Sequence, residues 1–286
     1  MTPAARRTAA GWVRQRFAFS ERRAGALVGI GRSTARYRPR GNGDDGPLRR
    51  RLHELAGQRP RFGSRRLHAL LRREGVVVNH KRIARLYRAD GLAVRRRGRK
   101  RVARAGRGRP TPARCPNEQW AIDFLSDALA SGRRLRVLAV VDTCTREALA
   151  LAVDTSLPGE RVALVLERLA AERGRPRPVV LDNGPELTGR ALDRWAHDRG
   201  VELRFIDPGK PVQNAVCESF NGRVRDECLN EHGFLGVADA RRIIEAWRED
   251  YNRARPHSAL GYRAPEEFRA AFDEAAPARQ EAAGLS

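Results

Sequence analysis

The chain has 286 residues, a length that favours two domains over one. Its composition, 41% hydrophobic and 32% charged, is that of a globular protein rather than a disordered or fibrous one. The longest apolar runs, such as residues 148–153, hold six residues, so none could span a bilayer. The N-terminal residues lack the apolar core of a secretory signal. The four cysteines show no CxxC spacing, and we expect them to be free cytosolic thiols.

The positive charge is concentrated in the first part of the chain. The net charge is +23, but residues 1–114 hold 33 basic and 6 acidic residues, whereas residues 115–286 hold 24 and 28. A strongly basic module is typical of proteins that bind polyanions, most often nucleic acid. An anionic lipid surface is the alternative, but no stretch combines basic residues with a large apolar face. The charge therefore predicts nucleic-acid binding by the first part and another role for the second.

Residues 1–40 contain the outline of a helix-turn-helix. Ser20 is placed to cap a first helix. Its apolar side chains share one face: Ala24, Leu27 and Val28. A turn at residues 29–31 leads to a second, basic helix at 32–38. A helical hairpin with a charged outer face fits the same pattern, and both interpretations stay open. The composition of residues 40–47 is that of a linker.

Residues 47–94 show three amphipathic helical patterns and are predicted to form a helix-turn-helix DNA-binding module. The apolar stripes are Leu48, Leu52 and Leu55, then Leu67, Leu70 and Leu71, then Ile83, Leu86 and Tyr87. Ser64 and Asn79 are predicted to cap the second and third helices, and Gly91 to end the third.

The third helix of this module exposes a basic surface. Its members are His80, Lys81, Arg82, Arg85 and Arg88. A basic helix after a short turn suits insertion along a major groove. A merely solvated helix face is the alternative, which the local charge density disfavours.

A basic linker follows at residues 95–114, with ten basic and no acidic residues. Its glycines and prolines prevent a continuous helix, and such segments commonly track phosphates. A localisation signal is the competing interpretation. The residues expected to contact DNA are Arg95, Arg96, Arg97, Arg99, Lys100 and Arg101.

From residue 115 the pattern becomes mixed α/β. Strands are predicted at residues 118–125, 134–142, 147–154, 178–182 and 201–206, and helices at 158–173, 187–199, 212–229 and 238–252. This order predicts a three-strand meander extended by parallel strands, with helices on the faces of the sheet. We expect the core to span residues 115–272 and a flexible tail to occupy 273–286.

Three acids lie where catalytic acids are expected. Asp123 lies within an apolar strand, where a carboxylate is costly unless it binds a cation or a donor. Asp182 ends a predicted parallel strand, at the edge where ligands bind in open α/β sheets. Glu218 shares a helical face with Asn214, Asn221 and Arg225.

Each acid also has an ordinary structural explanation. Asp123 could pair with an arginine, Asp182 could belong to a turn, and Glu218 could form an ion pair with Arg225. Their conjunction is more specific, because oxygen ligands on two strands and a helix suit divalent cations such as Mg²⁺.

The second half of the chain resembles the retroviral-integrase-like core of DDE transposases, which has a ribonuclease H-like fold. Over roughly residues 15–270, the chain is similar to the second-reading-frame transposases of the "IS three" group of insertion sequences. The matching segments are WAIDFLSDAL, VVDTCTRE, LDNGPELT, PGKPVQNAVCESFNGRVRDECLNEH and WREDYNRARPHSALGY. The 35 residues between Asp182 and Glu218 match the spacing that names the family's acidic triad. Residues 58–96 resemble its helix-turn-helix module. The expected fold is thus an α/β integrase catalytic core preceded by small all-α modules.

The resemblance implies roles for individual residues. Asp123, Asp182 and Glu218 correspond to the catalytic, metal-binding triad, and Asn221 and Arg225 to positions that face the active site or the DNA end. Asp142, at a strand end, and Asp127, in an expected loop, are rivals for the first acid. The implied cofactors are two Mg²⁺ ions, which Mn²⁺ could replace. No zinc is expected, because no His-His-Cys-Cys module is visible.

The resemblance also implies an activity: metal-dependent cleavage of DNA at the ends of an insertion sequence, followed by strand transfer. The implied partners are double-stranded DNA, as terminal repeats and as target, further copies of the chain on DNA, and an upstream-frame helix-turn-helix protein, fused or separate. We expect a bacterial cytoplasmic, nucleoid-associated protein with no membrane partner. Two alternatives stay open: a catalytically inactive DNA-binding regulator and a ribonuclease H-like, structure-specific nuclease.

Overall fold

The computed structural model describes residues 1–37, 45–94, 113–207 and 211–275. They form two compact units, Met1–Arg51 and Leu52–Ser286. The first unit contains helices α1 (Pro3–Phe17), α2 (Glu21–Val28) and α3 (Arg32–Arg36), and α4 (Gly46–Gln58) begins in it. Helix α1 was absent from the sequence-based prediction.

Helix α2 begins as predicted, because the Ser20 hydroxyl accepts a hydrogen bond from the Arg23 amide. The expected apolar face is only partly correct. Ala24 is buried, but Leu27 is 67% exposed. A helix of eight residues has room to bury only one narrow stripe, here Ala24 and Gly25.

Helices α4, α5 (Ser64–Arg73) and α6 (His80–Ala89) correspond to the three patterns predicted for the helix-turn-helix module. The stripes are buried at Leu52, Leu55, Leu67, Leu71, Ile83, Leu86 and Tyr87. Asn79 caps α6 by accepting from the Lys81 amide at 2.8 Å. The prediction for α5 was wrong by one residue: Gly63 is the N-cap and Ser64 is the first helical residue.

A five-stranded sheet with the order β3-β2-β1-β4-β5 forms the centre of the second unit. Strands β1 (Trp120–Ala128), β2 (Arg134–Asp142) and β3 (Ala148–Asp154) are antiparallel. Strands β4 (Pro178–Leu181) and β5 (Glu202–Phe205) extend the sheet in parallel with β1. The predicted meander with parallel extension is confirmed.

Helices cover both faces of this sheet. Helices α7 (Gly159–Arg173) and α8 (Arg190–Arg199) pack on one face, and α9 (Ala215–Glu227) and α10 (Val237–Arg253) on the other. A last helix, α11 (Pro265–Glu274), packs on α10. The period-2 alternation of β1 sends Ala121 and Leu125 towards α9, and Trp120 and Ile122 towards α7 and α8.

The helix-turn-helix module is joined to the core by arginines that lie in α5 or in the segment just before it. The ion pairs are Arg59 with Asp250, Arg61 with Glu231, Arg66 with Glu227 and Arg73 with Glu267. Between them the ring of Phe62 is only 5% exposed and lies near the guanidinium groups of Arg59, Arg66 and Arg255, at 5.7, 5.3 and 5.8 Å. Several charges around one buried ring hold the two parts together more firmly than isolated surface pairs would.

Within the described ranges, no helix has the length and apolar character needed to cross a membrane. The cysteines Cys115, Cys144, Cys217 and Cys228 are all free, as predicted. The expected linker residues Arg95, Arg96, Arg97, Arg99, Lys100 and Arg101 lie outside the described residues.

We predict that Phe62→Ala lowers the free energy of unfolding by about 3–4 kcal/mol, because it removes a buried ring and leaves a cavity among charged groups. Urea unfolding followed by circular dichroism measures the change. Leu235→Ala is the matched control: Leu235 is 82% exposed, and its truncation should change stability by less than about 0.5 kcal/mol. Equal effects of the two substitutions would contradict the proposed role of Phe62.

Candidate active site

Two carboxylates lie side by side on the sheet. Asp123 is within β1 and Asp182 directly follows β4. The two strands run parallel with Ala121 opposite Val180, and the same register, continued along both strands, brings Asp123 opposite Asp182. Residues opposite each other on parallel neighbours are about 4.8 Å apart and point to the same face. The backbone pairing alone therefore brings these side chains together.

Helix α9 lies against that face and carries the third acid. Cys217, Phe220 and Val224 are buried between the helix and the sheet, which leaves Glu218 exposed. Asn221 follows Glu218 by three residues and so lies on the same helical face. Its Nδ2 donates to Asp123 Oδ2 at 2.8 Å. This hydrogen bond connects the Glu218 face of α9 to the first carboxylate.

The three acids act on one another electrostatically. The pKa of Asp123 is raised to about 6, chiefly by burial and in smaller part by the charges of Asp182 and Glu218, while hydrogen bonds from the Phe124 amide and Asn221 act in the opposite direction. Burial, and then the same three carboxylates, also raise the pKa of the Cys217 thiol well above its usual value. Negative groups concentrated in this way favour a positively charged ligand.

Two asparagines beside the acids each leave a buried oxygen without a hydrogen-bond donor among the described residues. These atoms are Asn221 Oδ1 and Asn214 Oδ1. The other end of the Asn214 amide donates to the Ile122 carbonyl at 3.1 Å, next to Asp123 in β1. Buried polar atoms are nearly always paired, so an unpaired oxygen in a carboxylate cluster indicates a place for a donor or a cation.

The rival acids have different surroundings. Asp142 is completely buried, and its carboxylate accepts from the backbone amides of Asn117, Cys144 and Thr145 at 2.7, 2.7 and 3.0 Å. Those bonds use both of its oxygens and stabilise the turn after β2. Asp127 lies within β1 rather than in the expected loop, and its Oδ1 accepts from the Ala128 amide at 2.8 Å. We therefore keep Asp123 as the first acid of the candidate site.

The loop after β4 is held at both ends. Asp182 Oδ1 accepts from the Gly184 amide at 3.1 Å, and Asn183 donates to the Ile206 carbonyl at 2.9 Å.

Further along, Glu186 forms an ion pair with Arg136, whose guanidinium lies 4.4 Å from the centre of the Phe124 ring. Sequence reasoning missed Arg136, although a lone arginine within the apolar strand RLRVLAVVD was a usable signal.

The donor set suits a hard divalent cation. It consists of carboxylate and amide oxygens, which Mg²⁺ prefers. Within the part of the chain that the structure describes, no group of three or more His, Cys, Asp or Glu side chains is arranged closely enough to hold a metal ion. Carboxylates repel one another unless a cation lies between them, so we regard the triad as a ligand set that a cation would draw together.

The residues predicted to contact DNA are on exposed surfaces where the structure describes them. Lys81, Arg85 and Arg88 of α6 are exposed, and Arg82 is half-buried. Arg225 is exposed on α9 and donates to the Ser126 carbonyl at 3.3 Å. It forms no ion pair with Glu218 among the described contacts, so the simple structural explanation of Glu218 is not supported.

Comparisons with known proteins agree with this architecture. Residues 113–211 and 199–265 match family models described as integrase core domain, and residues 47–104 match an HTH-like domain. Over 258 residues, the chain is 53% identical to an uncharacterized 31.7 kDa protein of insertion element IS407 from Burkholderia multivorans, covering 90% of this chain and 93% of that one. It is 30% identical to transposase InsD of insertion element IS2 from Escherichia coli, over 79% of each chain.

One solved structure is similar in fold. It is a chain in the cryo-EM structure of the simian T-cell lymphotropic virus intasome in complex with the PP2A regulatory subunit B56 gamma. The TM-score is 0.51 at 14% identity, and the match covers 76% of this chain and 74% of that one. This likeness shows the integrase-core fold.

We predict opposite effects of two neutralising substitutions on stability in metal-free buffer at pH 7. Asp142→Asn should lower the free energy of unfolding by about 1–3 kcal/mol: burial raises the pKa of Asp142 too, but an amide cannot accept from three backbone amides with both of its ends. Asp123→Asn should not lower it, because folding raises the pKa of Asp123 and therefore disfavours its charged form. Thermal or urea unfolding measures both, and a large loss of stability in Asp123→Asn would contradict the interpretation.

Proposed function

This chain belongs to the insertion-element transposases that carry an integrase core domain, and on that premise we propose that Asp123, Asp182 and Glu218 are its catalytic, metal-binding residues. As a DDE transposase, the protein cleaves DNA at the ends of its element and transfers the cleaved strand to a target. The observation that carries the residue assignment is the register of β1 and β4, which sets Asp123 opposite Asp182 beneath the Asn221 face of α9.

The proposed chemistry is an in-line displacement at phosphorus. Asp123, Asp182 and Glu218 would hold two Mg²⁺ ions, or Mn²⁺ in their place, which would supply activation of the attacking oxygen and stabilisation of the leaving oxygen. Water attacks in the cleavage step, and the released 3′-hydroxyl attacks in strand transfer. The three carboxylates hold and orient these groups, so no serine or tyrosine of the chain has to act as a nucleophile.

Asn221 is a positioning residue in this proposal. Its Nδ2 fixes one oxygen of Asp123, and its unpaired Oδ1 is available to a bound water or to the DNA end. Groups that orient a metal ligand typically contribute 10–100-fold to metal affinity or activity.

DNA binding is proposed to be divided between two basic elements. Helix α6 presents Lys81, Arg82, Arg85 and Arg88 to the bases of the terminal repeat, as a recognition helix does in a major groove. Residues 95–114 contact phosphates, and Arg225 contacts the DNA end beside the triad. Two arginines of α5, Arg66 and Arg73, form ion pairs with Glu227 and Glu267 of the core, so part of α5 is engaged there.

We also propose that the chain acts as a homo-oligomer on DNA and works with an upstream-frame helix-turn-helix protein, either fused or separate. Cleavage and joining of two element ends require two active sites to be held near each other. In such an oligomer, the helix-turn-helix module of each copy would recognise one element end.

The triad assignment predicts loss of chemistry without loss of binding. Asp182→Asn and Glu218→Gln should reduce cleavage and strand transfer below detection, because a neutral amide is a poorer Mg²⁺ ligand. Asn221→Ala should reduce activity roughly 10–100-fold. The assay uses a labelled duplex from the inverted repeats that flank the gene, in Mg²⁺.

Asp226→Asn is the matched control for these variants, because it neutralises an exposed carboxylate on the same helix. It should cleave normally, and all four variants should bind the duplex in EDTA as the wild type does. Normal cleavage by Glu218→Gln would rule out that residue as a ligand.

The division of DNA contacts predicts two distinct defects. Replacing Arg82 and Arg85 by glutamine should reduce the preference for an element end over random DNA, because base contacts carry the sequence information. Neutralising Arg95, Arg96, Arg97, Arg99, Lys100 and Arg101 should weaken binding to both DNAs and flatten the slope of log affinity against log salt by roughly 0.9 per lost phosphate contact. Titrations at several salt concentrations measure both. An unchanged salt slope in the linker variant, or an equal loss on both DNAs in the helix variant, would contradict the division.

A further inference from the structure

A second charged site lies on another face of α9. A cavity of about 280 Å³ opens between this helix, the end of α10, the segment after it and the start of α5. Its polar lining residues are mostly basic: Arg66, Arg146, Ser219, Arg223, Arg255 and His257. Four arginines thus line one small cavity, and none of the three acids of the candidate active site lines it.

The positive charge of this cavity is not balanced by the described residues around it. The carboxylate that pairs with arginines of the cavity, Glu227, already accepts from Arg255 through both oxygens at 2.6 Å and from Arg66 at 3.2 Å. Arg146 and Arg223 have no carboxylate partner in the described part of the chain. The Nη1 of Arg223 donates to the Ser219 hydroxyl at 2.6 Å, but its buried Nε has no acceptor there.

The charges of the four arginines all act on the pKa of His257, which lines the same cavity. The pKa of His257 is lowered to about 2, chiefly by burial and in smaller part by the charges of Arg255, Arg223, Arg66 and Arg146. The pKa of Arg223 is also lowered, first by burial and then by Arg255. A cavity whose potential disfavours cations this strongly favours an anion.

If these arginines had only a structural role, burying them would be energetically unfavourable. Taking a guanidinium out of water costs several kcal/mol unless its donors are satisfied. Arg255 meets that condition through Glu227, but the buried Nε of Arg223 has no acceptor, and Arg146 has no carboxylate partner, among the described residues. Guanidinium groups bind the paired oxygens of a phosphate through planar, charge-assisted hydrogen bonds. A phosphate in the cavity would supply the missing acceptors and the missing negative charge together.

The location of the cavity connects it to DNA. Successive residues of an α-helix are turned by about 100°, so Ser219, next to Glu218, lies on an adjacent face of α9. Ala215 lies between the two faces and is exposed. A nucleic-acid strand that reaches Glu218 therefore passes the mouth of the cavity within about one turn of the helix.

We propose that this cavity is a phosphate-binding site that holds one backbone phosphodiester of bound DNA through Arg146 and Arg223. The site is separate from the acidic triad and does not depend on the assignment of the catalytic residues. Free inorganic phosphate has the same chemistry, and the experiment distinguishes the two sources.

The test compares the double variant Arg146→Gln/Arg223→Gln with the wild type in EDTA, so that the triad takes no part. Arg168→Gln is the matched control, since Arg168 is an exposed arginine of α7. The first readout is the melting temperature in inorganic phosphate against chloride at equal ionic strength. The second is the salt dependence of affinity for a random 30-base-pair duplex, measured by fluorescence anisotropy.

The proposal expects phosphate to raise the melting temperature of the wild type and of Arg168→Gln by about 2–4 °C, and to leave the double variant unchanged. It also expects the salt slope of the double variant to fall by about 0.9, the value of one lost phosphate contact. Arg146→Gln alone, which leaves the buried Arg223 in place, serves as the test if the double variant does not fold: its salt slope should fall below that of the wild type, and an unchanged slope overturns the proposal. An unchanged DNA slope in a folded double variant overturns the proposal, and if phosphate stabilisation is lost at the same time, the ligand is free phosphate rather than DNA.

Discussion

The parallel pairing of β1 with β4 is the constraint on which the site depends. It leaves Asp123 and Asp182 on the same face of the sheet, at a separation that the backbone fixes and the side chains cannot relieve. Helix α9 must then cover that face, and it is held there by Phe220, Val224 and Cys228, which are buried against the sheet. Glu218, Asn221 and Arg225 are placed by this helix.

Holding the acids close together is electrostatically unfavourable for the folded chain. The raised pKa of Asp123 and the unpaired oxygens of Asn214 and Asn221 are local penalties in the folded chain. Helix α9 carries charges of opposite sign on adjacent faces: Glu218 lies on one face and Arg223 on the next. In our two proposals, one helix thus carries a residue that binds cations and a residue that binds phosphate, which together suit a metal-dependent reaction on DNA.

The sequence predicted the strands closely because their signals are local. Strand β2 was predicted with its observed bounds, Arg134–Asp142, since its apolar run is bounded by charged and turn residues. Helices α1 and α11 were missed: α1 has only Ala10 and Val13 buried, and α11 only Pro265, so neither shows a long apolar stripe. The cap of α5 was displaced by one residue because glycine can begin a helix without a side-chain signal.

The candidate acids of the site could be proposed from the sequence, but their contacts could not. Motif and spacing singled out Asp123, Asp182 and Glu218, whereas the bond from Asn221 to Asp123 joins residues 98 positions apart. The cavity of Arg146, Arg223 and Arg255 was invisible for the same reason. In an arginine-rich chain, no local pattern distinguishes a guanidinium that faces a cavity from one that faces solvent.

The central claim is that Asp123, Asp182 and Glu218 together bind divalent cations. Crystals of the protein with a duplex element end, grown in Mn²⁺, test it through the anomalous scattering of manganese. The account predicts anomalous peaks within coordinating distance of the carboxylate oxygens of Asp123 and Asp182, with Glu218 as a further ligand. Manganese bound elsewhere, with Asp123 or Asp182 uncoordinated, would contradict it.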